Sequence, residues 1–325
     1  MKIISWNLKN IGAGKLANAM NPAVAAAGYG NNVGEFIVNV VMANPLWNGV
    51  NTALAADIFL IIELKCGGHN KSFPAVGTCT PCLTMLVNAM NAVAGPGNLN
   101  YQYASVPPLI CGYHECVGVI YNHRRLTHNG SMVLRDNNMN YINPRSPFLA
   151  NFTVGAGPVQ LNIVGIHAPP PSGGAAVRYR PPIGYCTRLP TVPQLMGIGA
   201  PQEFVIGGDF NSEQANTWNV FGYNRHPFFN FPVPPAPANM DLTNYATMLP
   251  AGTLTSVRNR VDNHQGGQLR YLNGAYDNLL FKAAGPPLGE YAIDLIGNLA
   301  APGIGLVATL NNYLRVSDHM PVVIV

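Results

Sequence analysis

Residues 316–325 read VSDHMPVVIV, and this stretch places an Asp–His pair directly in front of an apolar strand pattern. Burying a carboxylate costs free energy unless the carboxylate is paired or bound to a metal ion. Pro321 fits the first residues of a strand or a sheet edge, because proline donates no hydrogen bond to a ladder. One interpretation of Asp318 and His319 is a polar turn that enters a core strand. The alternative is a functional pair at one end of a sheet.

Seven other short runs are bounded by Gly, Pro and Asn, which is typical of β-strands. They are KIISWN (2–7), DIFLIIEL (57–64), CVGVIYN (116–122), FLANFTV (148–154), VQLNIVGIHA (159–168), EFVIGGDF (203–210) and YDNLLF (276–281). FLIIEL and LNIVGI are apolar on both faces, so we expect them to be buried between layers. We predict helices near 34–56, 82–94, 187–199 and 288–299. The pattern favours sheets that pack together with helices outside.

The composition limits the class of protein. A chain of 325 residues that is 48% hydrophobic has ample material for a large core, and no linker or repeat divides it, so we predict a single domain over 1–325. Charged residues make up only 10%, against roughly 25% in a typical soluble domain. The net charge of +4 is too small to indicate a polyanionic partner.

The longest apolar stretch, 292–310, contains an Asp, a Pro and three Gly, so we predict a helix followed by a loop and no transmembrane segment.

The cysteines and the first residues leave the compartment open. The CTPC motif at 79–82 is compatible with a redox pair, a tight disulfide or half a zinc site. No second CxxC or nearby HxxxH completes a zinc set, so we do not expect zinc. Residues 1–7 resemble a strand and not a secretory leader. We therefore expect either an intracellular protein or a chain from which a leader has been removed. The even number of cysteines, the few charges and the many Asn residues favour export.

Polar residues recur at or beside the ends of the predicted strands. Five of the fourteen acidic residues lie there, together with two histidines and two amides: Glu63, Glu115, Asp209, Asp277, Asp318, His167, His319, Asn7 and Asn211. Strand ends meet at one end of a sheet sandwich, so we expect these side chains to form a single cluster.

Such a cluster suits the hydrolysis of a phosphate ester. A hard divalent cation takes oxygen ligands from carboxylates, amides and water, and it neutralises charge on a phosphoryl oxygen and on the departing alkoxide. A histidine paired with a carboxylate accepts a proton from water near neutral pH. The sequence contains no G-x-S-x-G motif, so nothing indicates a serine nucleophile of that type.

Six segments, in this order, resemble the endonuclease/exonuclease/phosphatase superfamily. They are SWNLKN (5–10), IIEL (61–64), GIHAPP (165–170), GGDFNS (207–212), AYDNLLF (275–281) and SDHMPVV (317–323). The resemblance implies a four-layer α/β sandwich in which two packed, mainly antiparallel β-sheets are flanked by helices. GYHECVGVIYN (112–122), RSPFLANFTV (145–154) and His167 are similar to the matching parts of deoxyribonuclease I and the nuclease subunit of cytolethal distending toxins.

The resemblance implies a role for each residue of the cluster. Glu63 is expected to be the principal metal ligand, with Asn7 and Asp318 near the ion or its waters. Mg²⁺ is the expected ion, with Mn²⁺ or Ca²⁺ as alternatives. Asp209 and Asn211 are expected to position the attacking water and the scissile phosphate.

The two histidines are expected to exchange protons with the reacting groups. Asp277 would orient His319, and Glu115 would orient His167. Which histidine accepts a proton and which donates one stays open at this point.

Further residues are expected to contact the substrate. Tyr113 and Arg145 would contact phosphate, and Lys65 would reach toward a DNA groove. Arginine side chains match phosphate geometry, so Arg178 and Arg180 are candidates for clamping a nucleic-acid backbone. Cys111 and Cys116 flank the Tyr-x-Glu stretch, and a disulfide between them is one way to hold it in place.

Two segments depart from the family pattern. We expect insertions near 11–55, with an added helix or loop, and near 258–274. Because of these insertions, the identity of the substrate stays open.

The favoured function is a monomeric, metal-dependent phosphodiesterase that cuts double-stranded DNA with little sequence preference, and RNA is an alternative substrate. The first competing hypothesis is a phosphatase or phospholipase C-type enzyme acting on phosphoinositide or sphingomyelin, although GDFNSE (208–213) differs from the GDLNYR usual in inositol phosphatases. The second is a catalytically inactive binding module.

Overall fold

The computed structural model describes most of two β-sheets and the helices on one side of them. The described residues are 1–42, 55–66, 79–95, 102–112, 115–134, 145–168, 202–211, 246–247, 253–257, 272, 276–282, 290–292, 295 and 306–324. Within these ranges, no helix has both the length and the apolar character needed to cross a bilayer.

The described part of the chain contains thirteen strands and five helices, numbered in chain order. The strands are β1 Ile3–Ile11, β2 Ile58–Lys65, β3 Tyr103–Ser105, β4 Ile110–Gly112, β5 Glu115–Asn122, β6 Leu126–Val133, β7 Phe148–Val154, β8 Gln160–His167, β9 Gln202–Asp209, β10 Ala246–Thr247, β11 Asp277–Lys282, β12 Glu290–Ala292 and β13 Val322–Ile324. The helices are α1 Ala13–Leu16, α2 Pro22–Ala26, α3 Val33–Val41, α4 Cys79–Ala94 and α5 Leu306–Val316.

Both sheets are mixed but mainly antiparallel. The first has the strand order β12-β13-β1-β2-β5-β3, with β4 also paired to β5, and the second has the order β10-β11-β9-β8-β7-β6. Each contains one parallel pair, β1 with β2 and β8 with β9. The chain thus folds as the α/β sandwich that the sequence motifs predicted.

Two hydrophobic cores hold the layers together. One lies between the sheets and includes Leu60, Val117, Phe148, Ile163 and Leu279. The other lies between the first sheet and the five helices and includes Trp6, Phe36, Ile61, Leu86 and Tyr313. Burying side chains of this size stabilises the fold by roughly 1.5–3 kcal/mol each, so sheet packing fixes where the strand ends lie.

Two glycines of β9 lie where a larger residue would crowd its neighbours. A Cβ atom on Gly207 would lie 2.5 Å from a methyl group of Leu279 on the adjacent strand β11 and 3.0 Å from a methyl group of Leu60 in the other sheet, so both leucines would have to shift. Gly208 has φ +141°, a conformation that L side chains rarely adopt, and a Cβ there would collide with the backbone of Ile166. The GGD sequence therefore brings Asp209 close to the neighbouring strand β8.

Most predicted strands match the observed ones, and the helices account for the main differences. The prediction of a helix near 288–299 is wrong in its first part, because Glu290–Ala292 pairs with β13 as an edge strand. The helix predicted near 34–56 ends at Val41, and residues 43–54 lie outside the described part. The helix predicted near 187–199 also lies outside it. The insertion expected near 11–55 contains three short helices, α1 to α3.

The disulfide considered between Cys111 and Cys116 is absent, since both are free thiols. The physical reason is the alternation of side chains across a strand pair. Cys111 packs into the core between the sheets, whereas Cys116 packs into the core under the helices. The two side chains therefore project to opposite faces of the first sheet.

Candidate active site

Strand ends from both sheets meet in one polar cluster, as the sequence predicted. In the second sheet, Asp209 at the end of β9 is in register with His167 of β8 on one side and with Asp277 of β11 on the other. In the first sheet, Asn7 of β1 lies opposite Ile62, the neighbour of Glu63 in β2. The pairing register of the strands thus places these residues at the same end of the two packed sheets.

Asp209 lies at the centre of the cluster, between the two histidines. Its Oδ2 atom is 3.7 Å from Nε2 of His167 and 3.7 Å from Nε2 of His319. The Asp209 side chain is almost fully buried. A single carboxylate oxygen therefore faces the reactive nitrogen of both imidazoles.

His319 is paired with a carboxylate and held by its backbone. Its Nδ1 atom lies 2.7 Å from Oδ2 of Asp277, as predicted. Its carbonyl accepts hydrogen bonds from the indole of Trp6 at 2.9 Å and from the hydroxyl of Tyr313. Its backbone N–H donates to Oγ of Ser317 at 2.9 Å. These contacts orient Nε2 toward the cluster.

Asp277 is itself fixed at the start of β11. Its backbone N–H donates to Oγ1 of Thr255 at 2.9 Å. Its Oδ1 atom is buried and has no hydrogen-bond partner among the described residues. A buried carboxylate oxygen without a donor is costly, so the negative charge of Asp277 relies on His319 for compensation.

His167 forms the second carboxylate–histidine pair. Its Nδ1 atom lies 3.0 Å from Oε1 of Glu115, the predicted partner. The same oxygen is 2.5 Å from Nε of Arg145, so Glu115 is shared between an imidazole and a guanidinium. Nε2 of His167 points to Glu63 at 3.4 Å. The sequence predicted a phosphate contact for Arg145, and its place beside Glu115 puts it next to the cluster.

The oxygen donors around Glu63 fit a hard divalent cation. The amide nitrogen of Asn7 donates to Oε1 of Glu63 at 3.0 Å and to Oδ2 of Asp209 at 3.2 Å. One ligand atom each from Glu63, Asp209 and His167 lies within 4.8 Å of the other two. Two converging carboxylates supply the kind of oxygen ligands that Mg²⁺, Mn²⁺ or Ca²⁺ binds.

The backbone is strained where it forms this edge of the cluster. The non-glycine residues with positive φ in the described part are Lys9, Asn10, Glu63 and Asn211. Non-glycine residues in this conformation cost about 1–3 kcal/mol each and concentrate at functional sites. Glu63 lies at an irregularity in the β2–β5 pairing, and its Oε2 accepts from the backbone N–H of Asn10 at 3.1 Å.

Asn211 is anchored directly after β9. Its backbone N–H donates to Oδ1 of Asp209 at 2.7 Å, and its side-chain amide donates to the carbonyl of Ala168 at 2.6 Å. Its φ is 47°. The left-handed conformation, which Asn tolerates better than most residues, places the Asn211 amide beside Asp209.

Asp318 lies on the exposed side of the cluster and has a partner that sequence reasoning missed. Its Oδ2 atom forms an ion pair with Nζ of Lys9 at 2.9 Å, and its Oδ1 atom is 3.7 Å from Nε2 of His319. Lys15 supports this corner, because its Nζ donates to the carbonyls of Leu8 and Lys9 at 2.7 and 2.6 Å. Lys9 belongs to the SWNLKN motif, whereas no signal in the sequence identifies Lys15.

The buried charges shift the pKa values of the two histidines in the same direction. Burial alone would lower the pKa of His319, but Asp277 and Asp209 outweigh it and raise the pKa to about 10. Burial also opposes charge on His167, where Glu115 and Asp209 raise the pKa. Burial raises the pKa of Asp209, and the histidines act in the opposite direction. In the metal-free site, the surrounding carboxylates therefore raise the pKa of both imidazoles.

Of the other residues predicted to contact the substrate, the structure describes only Lys65. Lys65 is exposed at the end of β2, in register with Glu115. Tyr113, Arg178 and Arg180 lie outside the described part of the chain. Sequence reasoning missed the supporting residues Ser317, Tyr313, Trp6 and Thr255, of which only Ser317 adjoins the Asp–His pair.

Solved structures that match the chain over its full length support the same fold. The human Nocturnin catalytic domain with bound sulfate is 12% identical, with a TM-score of 0.51 and coverage of 100% of this chain and 93% of that domain. An endonuclease/exonuclease/phosphatase family protein from Leptotrichia buccalis is 11% identical, with a TM-score of 0.52 and coverage of 100% and 98%. No family model and no curated protein sequence matches the chain.

The chain thus shares the α/β-sandwich fold of these two structures. The fold that the six sequence motifs implied is confirmed, and the described members of the predicted cluster lie together.

Proposed function

We propose that this chain is a divalent-metal-dependent phosphodiesterase that hydrolyses double-stranded DNA internally, with little sequence preference. One observation carries the proposal. Two histidines, each bonded through Nδ1 to a carboxylate, direct Nε2 toward the same oxygen of Asp209 at 3.7 Å. A pair of oriented imidazoles beside a buried carboxylate suits a reaction that removes a proton from water and returns one to a leaving oxygen.

The reaction needs two proton transfers, and the chain has one histidine for each. Asp209 and Asn211 hold the attacking water and the phosphate, and one histidine accepts the proton of that water as the new P–O bond forms. The other histidine donates a proton to the sugar oxygen as the old P–O bond breaks. The assignment of the two roles to His167 and His319 stays open.

A divalent ion would be held by Glu63 and Asp209, with Asn7 and Asp318 near the ion or its waters. When bound, it supplies positive charge that stabilises the phosphoryl oxygens and the leaving alkoxide. The positive charge also offsets the carboxylates that raise the histidine pKa values. The imidazole that acts as base then becomes neutral closer to pH 7.

The choice of DNA as substrate rests on the cations at the edge of the cluster and on the sequence resemblance. Arg145 is one quarter exposed beside Glu115, and Lys65 and Lys9 lie exposed near Glu63 and Asp318. Arginine and lysine contact phosphates without reading sequence, which agrees with weak sequence preference. The Tyr-x-Glu and Arg-x-Pro-Phe stretches resemble those of deoxyribonuclease I-like nucleases.

Nicking of supercoiled plasmid tests the proposal. The purified protein is incubated with plasmid, linear DNA, RNA and phosphoinositide or sphingomyelin vesicles, in Mg²⁺ or Mn²⁺ and in EDTA. We expect metal-dependent nicking by the wild type, and a loss of about 10²–10⁴-fold in His319→Asn. The matched control is His123→Asn, which alters an exposed histidine in the turn after β5 and should nick normally.

Two results would contradict the proposal. Turnover of vesicles with intact plasmid would favour the phospholipase or phosphatase alternative. Equal nicking by wild type and His319→Asn would show that the cluster is not the catalytic site.

A further inference from the structure

Three buried cysteines converge outside the proposed catalytic cluster. Cys66 follows the end of β2, Cys79 begins α4, and Cys116 is the second residue of β5. All three are at most 2% exposed, and one sulfur from each lies within 4.8 Å of the other two. Because these residues are distant in sequence, the CTPC motif alone could not reveal this three-thiol group.

The Cys79 and Cys116 sulfurs lie farther apart than in a disulfide bond and closer than two ligands of a tetrahedral zinc ion. The Sγ atoms of Cys79 and Cys116 are 3.1 Å apart. A disulfide bond requires about 2.05 Å, whereas two sulfurs bound at about 2.3 Å to one tetrahedral zinc ion lie roughly 3.7 Å apart. A disulfide would also use only two of the three converging thiols, whereas one ion engages all three.

Cys79 lies in the first turn of a sixteen-residue helix, where the helix dipole stabilises negative charge. The thiolate is the form that binds metal ions.

We propose that Cys66, Cys79 and Cys116 bind one Zn²⁺ ion as a structural site that joins β2, β5 and α4. Each thiol gives up its proton to solvent as its Zn–S bond forms. Three protein thiolates leave one of the four usual positions of zinc to a further donor. The three buried thiols of this group separate it from the carboxylate cluster, which favours Mg²⁺ or Mn²⁺.

The zinc site would support the proposed catalytic cluster from behind. Cys116 directly follows Glu115, whose carboxylate bonds to His167. Cys66 follows Lys65, and Sγ of Cys79 lies 3.4 Å from the carbonyl oxygen of Lys65. An ion at this junction would fix the end of β2 against the start of β5, which carry Glu63 and Glu115.

Cobalt substitution tests the inference independently of phosphodiesterase activity. Untagged protein is purified in a thiol reductant, stripped of metal and titrated with Co²⁺. We expect thiolate-to-cobalt charge-transfer absorption together with the strong visible bands of a tetrahedral site, and Zn²⁺ should displace this signal. Cobalt at the carboxylate cluster lacks thiolate ligands and gives no such charge-transfer band.

The variants Cys66→Ser, Cys79→Ser and Cys116→Ser should each lose the charge-transfer signal. Cys111→Ser, which removes a buried thiol that bonds to the Leu109 carbonyl, should retain it. Alkylation of the native wild type provides a test that needs no variant. Zn²⁺ should protect the three cysteines, and a chelator should remove that protection.

The inference would be overturned if reduced wild-type protein gave no charge-transfer signal and Zn²⁺ gave no protection. A native protein without zinc whose mass shows a Cys79–Cys116 disulfide would also overturn it. Neither result would bear on plasmid nicking, so the zinc site and the catalytic proposal fail separately.

Discussion

At the scale of single residues, His319 and Asp277 dominate the electrostatics of the cluster. Both are buried, and they are joined at 2.7 Å. Burial disfavours a charged imidazole, yet the surrounding carboxylates raise the pKa of His319 to about 10. The pair therefore links the stability of the metal-free protein to pH.

Asp277→Asn should change that pH dependence. A histidine with a pKa of about 10 in the folded state and about 6.5 in the unfolded state binds its proton more tightly when folded. The contribution of His319 to the unfolding free energy is complete below a pH of about 6.5 and is lost as pH rises toward 10. We expect the wild type in EDTA to lose up to about 1.4 kcal/mol of unfolding free energy per pH unit from this group, and Asp277→Asn to lose less.

Urea unfolding between pH 6.5 and 8 measures this difference. Above that window Lys2 and Lys15, whose pKa values burial lowers to about 8, begin to contribute with the opposite sign. Comparing the variant with the wild type removes the contributions that both proteins share. Parallel curves for the two proteins would mean that Asp277 does not hold the His319 proton.

Glu63→Gln should weaken the dependence on metal without abolishing the fold. The substitution keeps the shape of the side chain but removes the negative charge that a divalent ion needs. Plasmid nicking should then require at least about tenfold more Mg²⁺ for half-maximal rate, since loss of one charge-assisted contact of about 1.5–3 kcal/mol corresponds to that factor or more. An unchanged Mg²⁺ requirement would exclude Glu63 as a ligand. Glu35→Gln, on an exposed part of α3, is the control.

At the scale of elements, the strands could be predicted well because their apolar runs and bounding Gly, Pro and Asn are local signals. The predicted strand 148–154 coincides with β7. The edge strand Glu290–Ala292 was missed because three residues are too few to show alternation, and pairing with β13 decides their conformation. The short helices of 13–41 were expected only as an inserted helix or loop.

Gly207→Ala should destabilise the packing around Gly207. The new Cβ would lie 2.5 Å from a methyl group of Leu279 on the adjacent strand β11 and 3.0 Å from a methyl group of Leu60 in the other sheet, and overpacking of this kind costs about 1–3 kcal/mol. Urea unfolding should show that loss, and nicking should fall because Asp209 lies two residues further along β9. Gly130→Ala is the matched control, because its Cβ would meet nothing within 4 Å. Equal stability of the two variants would argue against close approach of the sheets at Gly207.

At the scale of the whole molecule, the cluster assembles only when both sheets pack, so metal binding and folding should be coupled. A ligand that binds only the folded state stabilises it by about 2.7 kcal/mol at one hundred times its Kd. We expect Mn²⁺ to raise the melting temperature of the wild type and to have a smaller effect on Glu63→Gln. Thermal unfolding with and without EDTA measures this, and an identical shift in both proteins would place the ion elsewhere.

The sequence was sufficient to predict which side chains converge, because acids and histidines follow apolar strands that must lie between layers. It was insufficient for contacts that depend on packing between distant segments. Trp6 and Tyr313 reach the carbonyl of His319 only after β1, α5 and β13 come together. The sharing of Glu115 between His167 and Arg145, and the meeting of the three cysteines, likewise depend on tertiary structure.

The most direct test of the central claim is the location of Mn²⁺ by anomalous scattering from crystals soaked in the ion at concentrations that support nicking. We predict a peak beside Glu63 and Asp209, with Asn7 and His167 nearby. Anomalous density only at other positions, or none at all beside Glu63 in an active preparation, would contradict the account.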